Sequence, residues 1–197
     1  MKQSYHSVRG SFFQMNKLTI HLDGSFFFFS ALLLLMLPLP WILALSLAGA
    51  VHECFHAAAI AAFRGEIYSL RLHAGGIQME TNAFTPGKEL ICALAGPLGS
   101  ALLLIFVHGL PRTAVCGAIH CAFNLLPLFP MDGGRALRSL VLLALPGSRG
   151  EKCFQWAQRL FCFCLFALCI VGCFRWGGVF FPAMVIVLWR VYQKRTV

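Results

Sequence analysis

The sequence predicts an all-α polytopic membrane protein of about six transmembrane helices, with a small β-hairpin or re-entrant element between the second and third. The first observation is composition: 59% of the 197 residues are hydrophobic, 12% are charged and the mean hydropathy is +0.77. A soluble domain is about 45–50% apolar and about 25% charged. The second observation is that the apolar residues form runs of about 20, the length that crosses a bilayer as a helix.

The apolar runs divide the chain into a short tail and one membrane domain. Residues 1–17 are polar and basic and are interpreted as a cytoplasmic tail, and residues 18–197 as a single intramembrane domain. Residues 18–22 alternate weakly, which predicts a short strand at the membrane surface. The predicted spans are approximately 22–38, 40–63, 89–108, 113–131, 153–173 and 178–190. The third span holds a run of small residues at 95–100, which is expected to let a neighbouring helix approach closely.

The first two spans have a competing interpretation. A basic start, an apolar block and the sequence Ala48-Gly49-Ala50 resemble a secretory signal peptide with its cleavage site. The apolar stretch is longer than the roughly 7–15 residues of a signal-peptide core, and further spans follow. We therefore interpret this region as two spans joined by a tight turn at Pro38 and Pro40.

A polar stretch between the second and third spans predicts the β-hairpin. Residues 66–72 and 77–80 alternate in part, on either side of Gly75 and Gly76. Glycines permit a turn between two strands. Non-helical backbone at membrane depth is tolerated only against protein or a water-filled cavity, so the hairpin is expected beside such a cavity.

The formal net charge of +9 is explained by membrane orientation. With an even number of spans both termini lie on one side, and the positive-inside rule makes that side cytoplasmic. No basic run with interleaved aromatic residues stands apart from the spans, so no nucleic-acid partner is expected. The residues then placed on the cytoplasmic side are Lys2, Arg9, Lys17, Arg64, Arg71, Lys88, Arg135, Arg138, Arg149, Lys152, Arg190, Lys194 and Arg195, against Arg112 and Arg175 outside.

The second span contains an HExxH motif, formed by His52, Glu53 and His56. Residues four apart share one helix face, so both histidines can point at one metal ion. The carboxylate of Glu53 lies next to the first ligand, where it can reach a water molecule that the metal activates. The motif is typical of zinc hydrolases, although it rarely lies in so apolar a segment.

A catalytic zinc site usually has a third protein ligand, which must come from another segment at the same depth. Asp132 is the best candidate, because a lone carboxylate at the end of a long apolar run is costly. Alternatively, Asp132 pairs with Arg135 or Arg138 at the interface. His120 competes as third ligand, but a packed and hydrogen-bonded histidine is the interpretation we favour there.

The HExxH motif and a second signature resemble the site-2 protease family of intramembrane metalloproteases, in particular its compact stage-IV sporulation group. The second signature is residues 124–134, Asn-Leu-Leu-Pro-Leu-Phe-Pro-Met-Asp-Gly-Gly. The Gly75-Gly76 hairpin and residues 95–98, Ala-Gly-Pro-Leu, match in order, so the resemblance covers roughly residues 18–145. The last fifty or so residues match only as generic spans.

The resemblance implies one zinc ion on His52, His56 and Asp132, with Glu53 as general base. It further implies that Asn124 orients the substrate backbone, for which a helix–helix hydrogen bond is the alternative, and that Gly75 and Gly76 belong to a substrate-binding hairpin. The partners implied are a membrane-spanning or membrane-tethered protein substrate, the lipid bilayer and an inhibitory membrane partner. We expect no PDZ insertion and no nucleotide-sensing CBS domain after the last span, so neither ATP control nor a role in sporulation is carried over from the resemblance.

Two functions of other classes remain as alternatives. A catalytically silent membrane adaptor of the same family would keep the fold without the chemistry, but Glu53 is intact. A metal-binding transporter would also place His and Asp inside the membrane. The sequence shows no pair of matching broken helices in two halves, which transporters of that kind often have. The favoured interpretation is a zinc endopeptidase of the cell membrane, multi-pass, with both termini cytoplasmic.

Overall fold

The computed structural model of the protein describes residues 19–73 and 76–176. Within these ranges the chain is mostly helical and carries one small sheet, as the sequence predicts. A 3-10 turn at Leu103–Phe106 extends the third helix. The strands and helices in chain order are β1 (Thr19–Leu22), α1 (Gly24–Met36), α2 (Leu39–Ala62), β2 (Ile67–His73), β3 (Gly76–Thr81), α3 (Pro86–Leu102), α4 (Pro111–Asn124), α5 (Asp132–Ala144) and α6 (Ser148–Trp176).

Three stretches of the described chain are helical, long and apolar enough to cross a membrane. They are Leu39–Ala62, Pro86–Phe106 and Ser148–Gly172, which correspond to the predicted spans at 40–63, 89–108 and 153–173. Helix α1 is apolar but shorter, over Gly24–Met36. The span predicted at 178–190 lies outside the described residues.

The predicted span at 113–131 differs from the structure at its second half. Helix α4 ends at Asn124, residues 125–131 form turns, and a separate helix, α5, begins at Asp132. Pro127 and Pro130 lack the N–H that a continued helix needs, which is why the helix cannot run through this segment. The sequence predicts a single span over residues 113–131, and the structure divides this part of the chain between α4 and α5.

The junction between α1 and α2 is the proline turn that the sequence predicts. Leu37 is extended, and Pro38 caps α2 at its N-terminus. At the other end of α1, the carboxylate of Asp23 accepts a hydrogen bond from the backbone N–H of Ser25 at 3.0 Å. This bond satisfies one of the free N–H groups at the helix start.

The sheet has the strand order β1–β2–β3. Strand β1 lies parallel to β2, with Ile20 opposite Leu70, and β3 lies antiparallel to β2, with Met79 opposite Leu70. The strand at 18–22 and the hairpin were both expected from alternation, and both are present. Among the described strands, β3 therefore forms one edge of the sheet.

Helix α2 is buried along a single line of residues. Its buried residues are Ala44, Ala48, His52, His56 and Ile60, each four positions after the last. Residues at this spacing lie one above another on a helix. Helices α3 and α4 both pack against α2, and α3 also packs against α5. The two histidines are thus placed in the interior of the helix bundle, and the other faces of α2 are largely exposed.

Candidate metal centre

His52 and His56 present two nitrogen atoms to one point inside the bundle. They are 3% and 7% exposed. Their Nε2 atoms lie 3.1 Å apart, and their rings meet edge to face with centroids 4.7 Å apart. The one-turn spacing on α2 therefore does what the HExxH pattern predicts.

The third group at this point is the carboxylate of Asp132, the first residue of α5. Its Oδ2 lies 3.0 Å from Nε2 of His52 and 3.1 Å from Nε2 of His56. Asp132 is buried as well. Among the described residues, these three form a cluster of the kind that can hold a metal ion.

The hydrogen bonds of the two Nδ1 atoms indicate whether a cation fits between His52, His56 and Asp132. Nδ1 of His56 lies 2.7 Å from the carbonyl oxygen of Cys92; because a carbonyl only accepts, Nδ1 must carry the proton and donate it. Nδ1 of His52 lies 2.9 Å from the hydroxyl of Ser100, which can accept in the same way. Two Nε2 lone pairs and a carboxylate oxygen then converge with no donor between them, and a bound cation satisfies all three.

The spacing of the three atoms also fits zinc. Ligands about 2.0–2.1 Å from a tetrahedral zinc ion lie about 3.3 Å from one another. The observed separations among Nε2 of His52, Nε2 of His56 and Oδ2 of Asp132 are 3.0–3.1 Å. Two imidazoles and one carboxylate leave a fourth position open, which is the layout of catalytic rather than structural zinc sites.

Glu53 lies against the start of strand β3. Its carboxylate accepts a hydrogen bond from the backbone N–H of Ile77. A Cβ atom added to Gly76 would lie 4.0 Å from Oε1 of Glu53. Gly76 has a φ of +114°, a left-handed conformation that favours glycine. The hairpin predicted beside the HExxH helix thus packs directly on the carboxylate of that motif.

The second oxygen of Asp132 faces Arg135 rather than the histidines. Nη1 of Arg135 donates to Oδ1 of Asp132 at 3.3 Å, and the same guanidinium also bonds Glu89 on α3. Arg138 instead pairs with Glu151 on α6. The two interpretations of Asp132, as a member of the histidine cluster and as the ion-pair partner of Arg135, are therefore compatible, because each uses a different oxygen.

Two glycines of α3 let that helix approach the cluster. A Cβ atom on Gly96 would overlap Nε2 of His56 and lie 2.7 Å from Nε2 of His52. A Cβ atom on Gly99 would lie 2.5 Å from the ring of Phe55. The run of small residues in α3 was expected to admit a neighbouring helix, and the structure shows α2 in that place.

The remaining predicted site residues lie around the cluster. The ring of His120, on α4, packs edge-on against His52 with centroids 4.4 Å apart; it is a packing neighbour and is not one of the three clustered residues. The side-chain amide of Asn124 donates to the carbonyl oxygen of His120 within α4, at 3.0 Å. The helix–helix bond considered for Asn124 is therefore not the bond that this amide makes. Gly75 lies outside the described residues.

Sequence reasoning missed the two groups that orient the histidines. Ser100 is fully buried and was interpreted only as part of the small-residue run, and Cys92 contributes a backbone carbonyl, which no side-chain pattern reveals. A buried serine on the face of α3 that carries Gly96 was the available signal for Ser100, because a polar side chain there needs a partner.

Comparison with known proteins was made by sequence and by fold. No protein-family model matches the chain. The chain is 31% identical over 178 residues to Stage IV sporulation protein FB of Bacillus subtilis, which covers 79% of this chain and 57% of that protein. It is 34% identical over 124 residues to a Synechocystis sp. protein that is named as a zinc metalloprotease, which covers 52% of this chain and 33% of that protein. The chain thus spans between a third and somewhat over half of the length of these curated relatives.

The fold also matches a solved structure. The Site-2 Protease from Methanocaldococcus jannaschii superposes with a TM-score of 0.65 at 18% identity, and the match covers 94% of both chains. At that identity the structural match indicates the fold alone, and the two sequence relatives indicate the protein family. Together they place the chain in the site-2 protease family of membrane metalloproteases.

Proposed function

We propose that this protein is an intramembrane zinc endopeptidase that hydrolyses peptide bonds of membrane-embedded or membrane-tethered proteins. The observation that carries the proposal is the buried cluster of His52, His56 and Asp132 with Glu53 beside it. The cluster is built on α2, a helix long and apolar enough to cross a membrane. Ionisable side chains at membrane depth mark functional sites, and a donor set that leaves one metal position open favours hydrolysis over transport.

In the proposed enzyme His52, His56 and Asp132 hold one zinc ion. Zinc bound there supplies a Lewis acid that activates water and polarises the peptide carbonyl. The carbonyl of Cys92 and the hydroxyl of Ser100 hold the imidazole rings in the tautomer that directs Nε2 inward.

Glu53 is the proposed general base. Its carboxylate takes a proton from the attacking water as the new carbon–oxygen bond forms at the peptide carbonyl. It then gives that proton to the leaving nitrogen as the carbon–nitrogen bond breaks. The bond from Ile77 N–H orients the carboxylate before the substrate arrives. Asn124, at the end of α4, is proposed to orient the substrate backbone.

The substrate is proposed to bind as an extended strand along the edge of β3. A helical substrate hides its carbonyls in its own hydrogen bonds, so it must unwind before cleavage. Main-chain pairing with a sheet edge holds an extended chain and tolerates many sequences. Because N–H groups alternate in direction along a strand and that of Ile77 points to Glu53, those of Met79 and Thr81 also face away from β2. The start of β3 at Gly76 lies beside Glu53, which brings this edge to the proposed general base.

The proposed location is the cell membrane, with both termini cytoplasmic. By the rise of about 1.5 Å per residue, His52 lies roughly 15–20 Å from either end of α2. Water therefore needs a polar route to the cluster, which we propose opens on the cytoplasmic side, where most of the positive charge is expected. An inhibitory membrane partner would act by closing that route or the edge of β3.

The test measures zinc content and cleavage on the same samples. The full chain is purified in detergent as wild type and as Glu53→Gln, and incubated with a model membrane-spanning substrate, with and without a chelator. We expect one zinc ion per chain in both, cleavage by wild type only, and loss of cleavage on chelation with recovery when zinc is restored. Loss of the general base should lower the rate by about 10²–10⁴-fold. The control is Glu151→Gln, which changes a carboxylate of α6 that pairs with Arg138 of α5.

The outcomes separate the alternatives. Zinc in both proteins without cleavage by either, across several substrates, would favour a silent adaptor. Cleavage that survives Glu53→Gln would contradict the assigned role of that residue. Absence of zinc from wild type, with no binding when zinc is supplied, would overturn the proposal as a whole.

A further inference from the structure

The segment that precedes Asp132 is held by helix α6. Residues 125–131, here called the approach turn, connect α4 to α5 and contain Pro127 and Pro130. Turns of this kind leave backbone N–H and C=O groups without the partners that a helix provides. In a protein interior those groups must find partners elsewhere.

Gln158 on α6 supplies two of these partners. Its side-chain amide nitrogen donates to the carbonyl oxygen of Pro127, and its Oε1 accepts from the backbone N–H of Phe129 at 2.9 Å. One side chain thus bonds the approach turn on both sides of Leu128. Gln158 is fully buried, so both bonds form away from water, where losing a partner costs the most.

The same face of α6 makes a second contact with the approach turn. Phe154 precedes Gln158 by one helical turn and is buried. Its ring packs edge-on against that of Phe129, with centroids 6.3 Å apart. Residues four apart share a helix face, so α6 places one aromatic and one amide contact on neighbouring parts of the same turn.

The approach turn also determines where α5 begins. A Cβ atom on Gly133 would lie 2.5 Å from the carbonyl oxygen of Leu126, and one on Gly134 would lie 2.5 Å from that of Leu128. The first turn of α5 therefore lies directly on the backbone of the approach turn, with no space between them. Any shift of the turn is passed to Asp132, whose Oδ2 must stay within about 3 Å of two histidines.

We propose that Gln158 is a positioning residue for the metal centre: it holds the approach turn, and through it the carboxylate of Asp132, in the place where His52 and His56 meet. This inference rests on the proposed metal site, and it makes α6 part of the machinery rather than only a membrane span. Gln158 does not touch the cluster, so its effect is on the geometry of Asp132.

The test uses the full chain in detergent with three variants. Gln158→Leu removes both bonds, and Gln158→Glu keeps an acceptor for Phe129 but loses the donor to Pro127. Gln155→Leu changes the same residue type one turn earlier on α6, where the side chain is exposed, and is the matched control. Zinc affinity is measured by competition with a chelator, and the visible spectrum of the cobalt(II)-loaded protein reports ligand geometry. Hydrogen exchange of residues 125–131 is followed in metal-free protein.

We expect Gln158→Leu to exchange faster at residues 125–131, to bind zinc about tenfold more weakly and to shift the cobalt spectrum. Gln158→Glu should fall between Gln158→Leu and wild type, and Gln155→Leu should match wild type. If Gln158→Leu does not fold, the comparison of Gln158→Glu with wild type decides the matter.

Two results would overturn the inference. Unchanged exchange at residues 125–131 in the Gln158 variants would show that this side chain does not hold the turn. Faster exchange with unchanged zinc affinity and cobalt spectrum would show that the turn does not position Asp132. Failure of the wild-type chain to bind zinc is a different result, visible without any variant, and would count against the proposed function itself.

Discussion

Glu89 on α3 and Arg135 on α5 form a two-point ion pair behind the histidine cluster. One carboxylate oxygen of Glu89 accepts from Nε of Arg135 at 3.0 Å and from Nη2 at 2.8 Å. The third nitrogen of the guanidinium, Nη1, is left to donate to Oδ1 of Asp132. Because the guanidinium is planar and rigid, fixing two of its nitrogens on Glu89 also fixes the direction of the third. Helix α3 thereby helps to orient a carboxylate that belongs to α5.

We predict that Arg135→Gln weakens zinc binding by about 10- to 100-fold, the range typical of partners that orient a ligand. The charge of Arg135 opposes a bound cation, but its side chain is one-third exposed and that repulsion is screened by solvent. Chelator competition gives the affinity. The control is Arg138→Gln on the same helix as Arg135; it breaks the ion pair with Glu151 of α6 and should leave zinc affinity unchanged. Equal affinities in the two variants would contradict an orienting role.

Gly96→Ala should abolish zinc binding while Gly87→Ala leaves it intact. A methyl group at position 96 would occupy the space of the Nε2 atoms of both histidines, whereas a Cβ atom at position 87, on the same helix, meets nothing within 4 Å. The measurement is metal content after purification, with helical content by circular dichroism as the check on folding. Retention of stoichiometric zinc by Gly96→Ala would mean that α3 lies further from α2 than described here.

Comparing His120→Phe with Asp132→Asn shows which of the two residues is the third metal ligand. A phenyl ring preserves the edge-on packing against His52 but cannot bind a metal, so zinc affinity should stay within about threefold of wild type. Asp132→Asn removes the charged ligand. It should lower zinc affinity at least about tenfold, the loss typical of residues that only hydrogen-bond a ligand. The reverse ranking would make His120 the third ligand. Both variants are measured by the same chelator competition.

Met79→Pro tests the edge of β3 as the substrate strand. The N–H of Met79 faces away from β2 by the alternation described above, and proline is tolerated at such edge positions. We predict normal zinc content and a cleavage rate reduced at least tenfold at low substrate concentration, since one main-chain donor to the substrate is lost. Met79→Ala keeps that donor and is the control. Similar cleavage by the two variants would argue that substrates do not pair with this edge.

Local features of this protein could be predicted from its sequence because they depend on neighbours along the chain. Composition and run length predicted the membrane class. The four-residue spacing of His52 and His56 predicted a shared helix face, and partial alternation at residues 66–72 and 77–80 predicted the hairpin. The small residues of α3 predicted a close helix contact without showing which helix would make it. The cost of a carboxylate at the end of a long apolar run made Asp132 the best candidate for the third ligand, and the family resemblance strengthened that prediction.

What only the tertiary structure decided is which distant groups meet. Asp132 lies 80 positions from His52, and no periodicity connects the two. The separate helix α5 and the partners of the two oxygens of Asp132 depend on how α3, α5 and the approach turn pack together. Ser100, the carbonyl of Cys92 and Gln158 act through hydrogen bonds between segments. Such bonds are selected by close packing and by the cost of leaving buried polar groups unpaired, and neither appears until the chain is folded.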